Sequence, residues 1–123
     1  MEGTPLKIFN ANAQSWYDSY CHGSAGYNGV MANFHPDLYK WAYDHKDSDP
    51  EKAQLVAHFL TTAAMIEMRA YPVSAKYHQN LVDVPMSLVT RSADAAKLDK
   101  NARGEVESLI AMENYVRKQL GIL

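Results

Sequence analysis

The stretch DPEKAQLVAHFLTTAAMIEMRAYP, residues 49–72, constrains this chain more than any other. Within it Val56, Phe59, Leu60, Ala63, Ile66 and Ala70 recur at the spacing of one helix face. That repeat is what a helix packed against a core requires. The start is well marked. Ser48 or Asp49 can accept hydrogen bonds from the free N–H groups of the first turn, Pro50 has the fixed φ of a first helical residue, and Glu51 meets the positive dipole end. Pro72 marks the stop, because the residue before a proline resists helical angles. A helix over residues 50–71 would be about 33 Å long. Leu55, Met65 and Met68 add apolar groups off the main stripe. The pattern therefore predicts a central helix covered on more than one side.

The flanking segments also read as helical. Ala13, Trp16, Tyr17, Tyr20 and Cys21 follow i, i+3, i+4, i+7, i+8, with Asn10 or Asn12 as a cap and Gly23 as a stop. A second helix opens at Pro36 and carries Leu38, Trp41, Ala42 and His45 on one side. A last helix over about 101–120 has Val106, Leu109, Ile110, Val116 and Leu120 on one face. Gly121 then stands where a left-handed cap belongs, with Ile122 beside it for the accompanying contact. Residues 73–90 are ambiguous by periodicity. They fit two short strands around Pro85, or short helices on either side of it, and we favour helix. Residues 1–9 read as an N-terminal arm. The fold class expected is all-α: one domain over residues 1–123, a compact bundle of four to six helices around the helix at about 50–71.

The totals are consistent with this. A chain of 123 residues, 47 % hydrophobic and 21 % charged, is long enough to bury a core without staples. Its net charge of −2 argues against broad nucleic-acid binding, which needs a basic face. The single cysteine, Cys21, builds no disulfide framework. MEGTPLKIFN lacks the pattern of a signal peptide, and no apolar run reaches the roughly 18 residues of a membrane span. The expectation is a cytoplasmic protein that does not enter membranes.

Two carboxylates fall in apolar arcs. At 100° per residue, Glu67 lies among Val56, Leu60 and Ala63, and Glu113 lies between Leu109 and Ile110. A buried ionised carboxylate without a partner costs several kcal/mol, so each requires one. Arg117, four residues beyond Glu113, can meet it on the same face. Glu67 has no such neighbour at i±3 or i±4. Its partner must come from elsewhere, or it stands exposed at an edge of the bundle, or it lines a pocket among the small residues around it. Glu67, Glu113 and Arg117 are thus the candidates for a buried network, or for a ligand pocket.

Other chemistries find little support. Glycines 23, 26 and 29 match no phosphate-cradling loop. DHKDSDPE at 44–51 lacks the glycine of a calcium loop. His22, His35, His45, His58 and His78 form no Glu-x-x-His or His-Glu-x-x-His pair, so neither a metal nor a cofactor is expected. Cys21 sits on an apolar stripe, and no serine lies in a nucleophile elbow.

The aromatic residues are the remaining signal. Trp16, Tyr17, Tyr20, Tyr27, Phe34, Tyr39, Trp41 and Tyr43 crowd into residues 16–43. Core packing can absorb Trp16, Phe34 and Trp41, and the set also fits a tyrosine-rich but ordinary core and rim; but every buried tyrosine needs a partner for its hydroxyl, and Tyr and Trp are the usual anchors of protein interfaces. The sequence therefore points to a non-catalytic interaction module, or a subunit of an oligomer or larger assembly. Its contact face would hold Trp16, Tyr17, Tyr20, Tyr39 and Tyr43, and its partner would be another protein or a second copy of the chain. The rival reading is a ligand-binding or enzymatic bundle built around Glu67.

Overall fold

The structure is a computed structural model that describes residues 3–123. The chain is all-α, as the pattern predicts, with five α-helices among the described residues: α1 (Trp16–Cys21), α2 (Pro36–His45), α3 (Pro50–Ala63), α4 (Val73–Leu81) and α5 (Lys100–Leu120). Sheet is limited to two two-residue strands, β1 (Phe9–Asn10) and β2 (Gly26–Tyr27). They pair in parallel, Phe9 with Gly26 and Asn10 with Tyr27. The chain divides into two compact units, Met1–Ala64 and Met65–Leu123.

In the first unit, α2 packs on α3. Leu38, Tyr39 and Ala42 of α2 and Ala53, Val56, Ala57 and Leu60 of α3 supply the buried faces. The helix starts follow the sequence. Pro36 and Pro50 open α2 and α3, and the Asp49 side chain accepts from Lys52 N at 3.4 Å. Before α1, Asn12 Oδ1 accepts from the backbone N–H groups of Gln14 and Ser15. The residues expected to form the arm lead into β1, a strand that short-range periodicity could not reveal. Residues 1 and 2 lie outside the described part.

The expected 50–71 helix has a different course in its last turns. It is α-helical over Pro50–Ala63 and tightens into a 3-10 helix over Ala64–Met68. Ala70 then takes a left-handed φ of 54° ahead of the cis Tyr71–Pro72 bond. A 3-10 turn advances about 120° per residue against about 100° in an α-helix. By residue 67 the accumulated offset is on the order of 80°. The side chain assigned to the apolar arc is thereby carried away from it.

In the second unit, α4 packs on α5. Val73, Leu98 and Ala102 form a buried cluster with Tyr77, Leu88 and Ala93 packed against it. The helix expected before Pro85 is α4. The one expected after it is absent: residues 82 and 83 form a turn, residues 84–90 have no regular secondary structure, and only Ala95–Lys97 make a 3-10 turn. Side-chain clamps hold the irregular run. Asn80 accepts from Met86 N and donates to Met86 O, both at 2.9 Å, and Lys76 donates to the Val89 carbonyl. Asp99 caps α5 by accepting from Ala102 N at 2.9 Å. At its other end Gly121 is left-handed (φ 73°), and Ile122 N donates to Arg117 O. This is the Schellman closure anticipated for it.

Candidate functional site

The aromatic cluster belongs to the first unit and has a centre and a rim. Trp16 is the centre. It has no solvent exposure and meets Tyr20 edge-on at 5.1 Å, Tyr39 at 4.8 Å and Tyr17 at 5.4 Å between ring centroids. Edge-to-face packing of this kind adds stability beyond burial alone. Trp16, Tyr20 and Tyr39 are therefore core residues, which corrects their assignment to an exposed contact face. Burial of the first unit needs its largest rings inside, and Ala13, Trp16 and Tyr20 of the stripe face the core while Cys21 is exposed. Tyr17 is half-buried, and Tyr43 remains exposed.

The rim encloses an open groove of about 330 Å³, lined by Phe9, Tyr20, Tyr27, Tyr39 and Tyr43 together with Lys40 and smaller residues. Tyr27 stacks on Tyr39 at 4.5 Å and 18°, and Tyr20 meets Tyr43 at 4.6 Å. Two glycines make this wall possible. A Cβ on Gly26 would lie 2.7 Å from the Phe9 ring, and one on Gly29 would overlap the Tyr27 ring. Phe9 is 56 % exposed and Tyr43 37 %, so the mouth of the groove is aromatic and wet. Lys40 is the cation in the lining, and its ammonium is held by both carboxylate oxygens of Asp44. Burial pushes the Tyr20 phenol above its ordinary pKa. The nearby Tyr43 and Asp44 act in the same direction, while the Tyr27 backbone opposes them. Burial likewise raises Tyr17, with Cys21 and Asp47 adding to it. The cluster is thus a place that resists negative charge.

The second unit holds the charge network. Glu113 of α5 is fully buried, as its place on the apolar face predicts. Its two oxygens each lie 3.1 Å from Nε2 of His78 on α4. Arg117 Nη1 approaches Glu113 at 3.5 Å and donates to Asn114 Oδ1 at 3.0 Å. The i, i+4 pair expected from the sequence is present, but His78 is the closer partner. Sequence reading passed over His78 as a lone histidine. Its one signal was position: His78 lies one turn after Ser74 on the buried face of α4, beside Ala75.

Glu67 is not part of a buried network. It is exposed on the 3-10 turn, which fits exposure at an edge and corrects the buried network and the internal pocket considered for it. Ser74, His78 and Glu113 are residue types that serve in nucleophilic triads, but Ser74 Oγ is buried and makes no hydrogen bond among the described residues. A nucleophile lies within hydrogen-bond reach of its base, and these three side chains do not form such a hydrogen-bonded chain. Among the described residues, no group of three His, Cys, Asp or Glu side chains is placed to hold a metal ion. Within them, no helix is long and apolar enough to cross a membrane.

No protein-family model matches this chain, and no curated protein matches it in sequence. The functional reading rests on the geometry alone.

Proposed function

We propose that this chain is a non-catalytic protein-binding module and that the tyrosine groove of the first unit is its contact face. One observation carries the reading. Phe9, Tyr27 and Tyr43 present large rings around an open groove, on a core that Trp16, Tyr20 and Tyr39 already fill. Rings of this type give much contact area for little conformational entropy, which is why interfaces use them as anchors. The groove has none of the equipment of an active site. Its polar groups are phenol hydroxyls and a lysine already bound to a carboxylate.

The test is site-specific photocrosslinking in an extract of the source cells. Benzoylphenylalanine at position 43 should capture a protein, or a second copy of the chain. The same probe at Leu55, exposed on α3 and outside the groove lining, should not. Phe9→Ser, with Tyr43 unchanged, should abolish retention of the captured partner by the immobilised protein. Equal capture at both positions, or retention indifferent to Phe9→Ser, would overturn the proposal.

A further inference from the structure

Resting on the groove as the contact face, we propose that its occupant is a cationic side chain, an arginine or lysine of a basic segment in the partner, held over the tyrosine rings. Ring chemistry and charge both point there.

The rings come first. An aromatic face carries the negative part of the ring quadrupole and attracts a guanidinium or ammonium placed within about 6 Å of its centroid. The groove gathers Phe9, Tyr20, Tyr27, Tyr39 and Tyr43 around one space of about 330 Å³, large enough for a single long side chain. Phenol oxygens at the same wall can accept hydrogen bonds from a guanidinium. The aliphatic stem of Arg or Lys packs on apolar surface while its head stays polar, which suits a mouth that is aromatic and wet.

Charge is the second, separate observation. From α2 into the first turn of α3, residues 37–52 carry Asp37, Asp44, Asp47, Asp49 and Glu51 against Lys40, Lys46 and Lys52, an excess of two acids, with Lys40 beside Asp44, Lys46 beside Asp47 and Lys52 beside Asp49. Asp37 follows the lining residue Pro36 and Asp44 follows the lining residue Tyr43. The lining lysine does not make the groove basic, because Asp44 neutralises it at 2.7 Å. An acidic or phosphorylated ligand would meet repulsion, and a neutral apolar one would leave the charge unused. A cation satisfies both features, and complementary potentials also steer encounter.

The experiment uses the full chain and three capped peptide amides: Gly-Arg-Gly-Arg-Gly, its glutamine isostere Gly-Gln-Gly-Gln-Gly, and penta-proline. Each is titrated against protein with 13C-labelled tyrosine rings, observed by NMR. The arginine peptide should shift the ring signals of Tyr27 and Tyr43, while the glutamine peptide should not. Tyr43→Leu keeps apolar bulk but removes the quadrupole. It should weaken the arginine peptide roughly two- to thirty-fold, the range of a single cation–π contact. Tyr43→Phe should bind within about two-fold of the wild type, since a phenyl face also serves. Asp44→Asn should weaken binding, and so should added salt. Equal or stronger shifts with the glutamine or proline peptide would overturn the cationic occupant, and so would no ring shift with arginine at millimolar peptide. Neither result touches the groove as a contact face, which the crosslinking at position 43 decides separately. Tyr17 and Tyr27 ring signals that match the wild type in each unliganded variant show that the fold of the first unit is intact.

Discussion

Replacing Glu113 by alanine tests the energetics of the second unit most directly. The carboxylate is fully buried and takes both of its short contacts from His78 Nε2, at 3.1 Å each. The variant leaves an imidazole that is only 1 % exposed without that acceptor. A buried polar group stripped of its partner costs about 1–3 kcal/mol. Lost packing of the deleted methylene adds about 0.8 kcal/mol. Arg117 contributes less, because its contact to Glu113 is long, Asn114 still accepts from it at 3.0 Å, and it reaches water. The expected loss is therefore about 2–4 kcal/mol, near the range for breaking a buried pair. In a chain of this size it would lower Tm by roughly 8–16 °C. Urea unfolding followed by circular dichroism at 222 nm reads it, since α5 is the longest helix. Arg117→Ala should cost about 1 kcal/mol or less, because its contact to Glu113 is the long one and His78 keeps the carboxylate paired. The joint replacement His78→Phe with Glu113→Leu should recover much of the loss, since apolar groups of similar volume replace buried pairs well. A Glu113→Ala protein within about 0.5 kcal/mol of the wild type would refute the reasoning, and so would an Arg117→Ala variant that costs as much.

Three further outcomes follow from the same contacts. Trp16→Ala should destabilise the first unit by about 3–5 kcal/mol, read by urea denaturation with Trp41 fluorescence as the probe. Trp16→Phe should cost much less, because Trp16 Nε1 has no hydrogen-bond partner among the described residues to lose. Tyr77 donates to Glu107 at 2.6 Å, and that hydrogen bond, with burial and the Glu107 charge adding to it, raises the phenol above its ordinary value of 10.0. Its stabilising contribution is complete below the unfolded value and is lost as pH rises through the raised one. The wild-type urea midpoint should therefore fall further than that of Tyr77→Phe between pH 9 and pH 11, these being roughly the bounds of phenol titration. Asn80→Ala should free the irregular run at Met86 without unfolding α4, seen as at least about ten-fold faster amide exchange at Met86 N, whose acceptor is Asn80 Oδ1.

The sequence alone determined the features that depend on near neighbours. Pro36 and Pro50 set helix starts, Asp49 supplied a cap, Gly121 closed α5, and helical spacing identified the all-α class. Each is decided within one or two turns, by hydrogen-bonding groups and φ preferences that the residues carry with them. Glu113 was legible as a buried carboxylate for the same reason, and Arg117 as its neighbour on one face. Tertiary structure decided the rest. His78 became the main partner of Glu113 only because α4 packs on α5, across 35 residues of chain. Glu67 left the apolar arc when the end of the long helical run tightened to 3-10 geometry, a change of pitch that a fixed 100° wheel does not contain. The aromatic residues show the division most plainly. Their crowding was visible in the sequence, but Trp16, Tyr20 and Tyr39 went inside while Tyr43 and Phe9 stayed out. A ring's burial depends on which long-range neighbours fill the space around it, and periodicity along one helix does not hold that information.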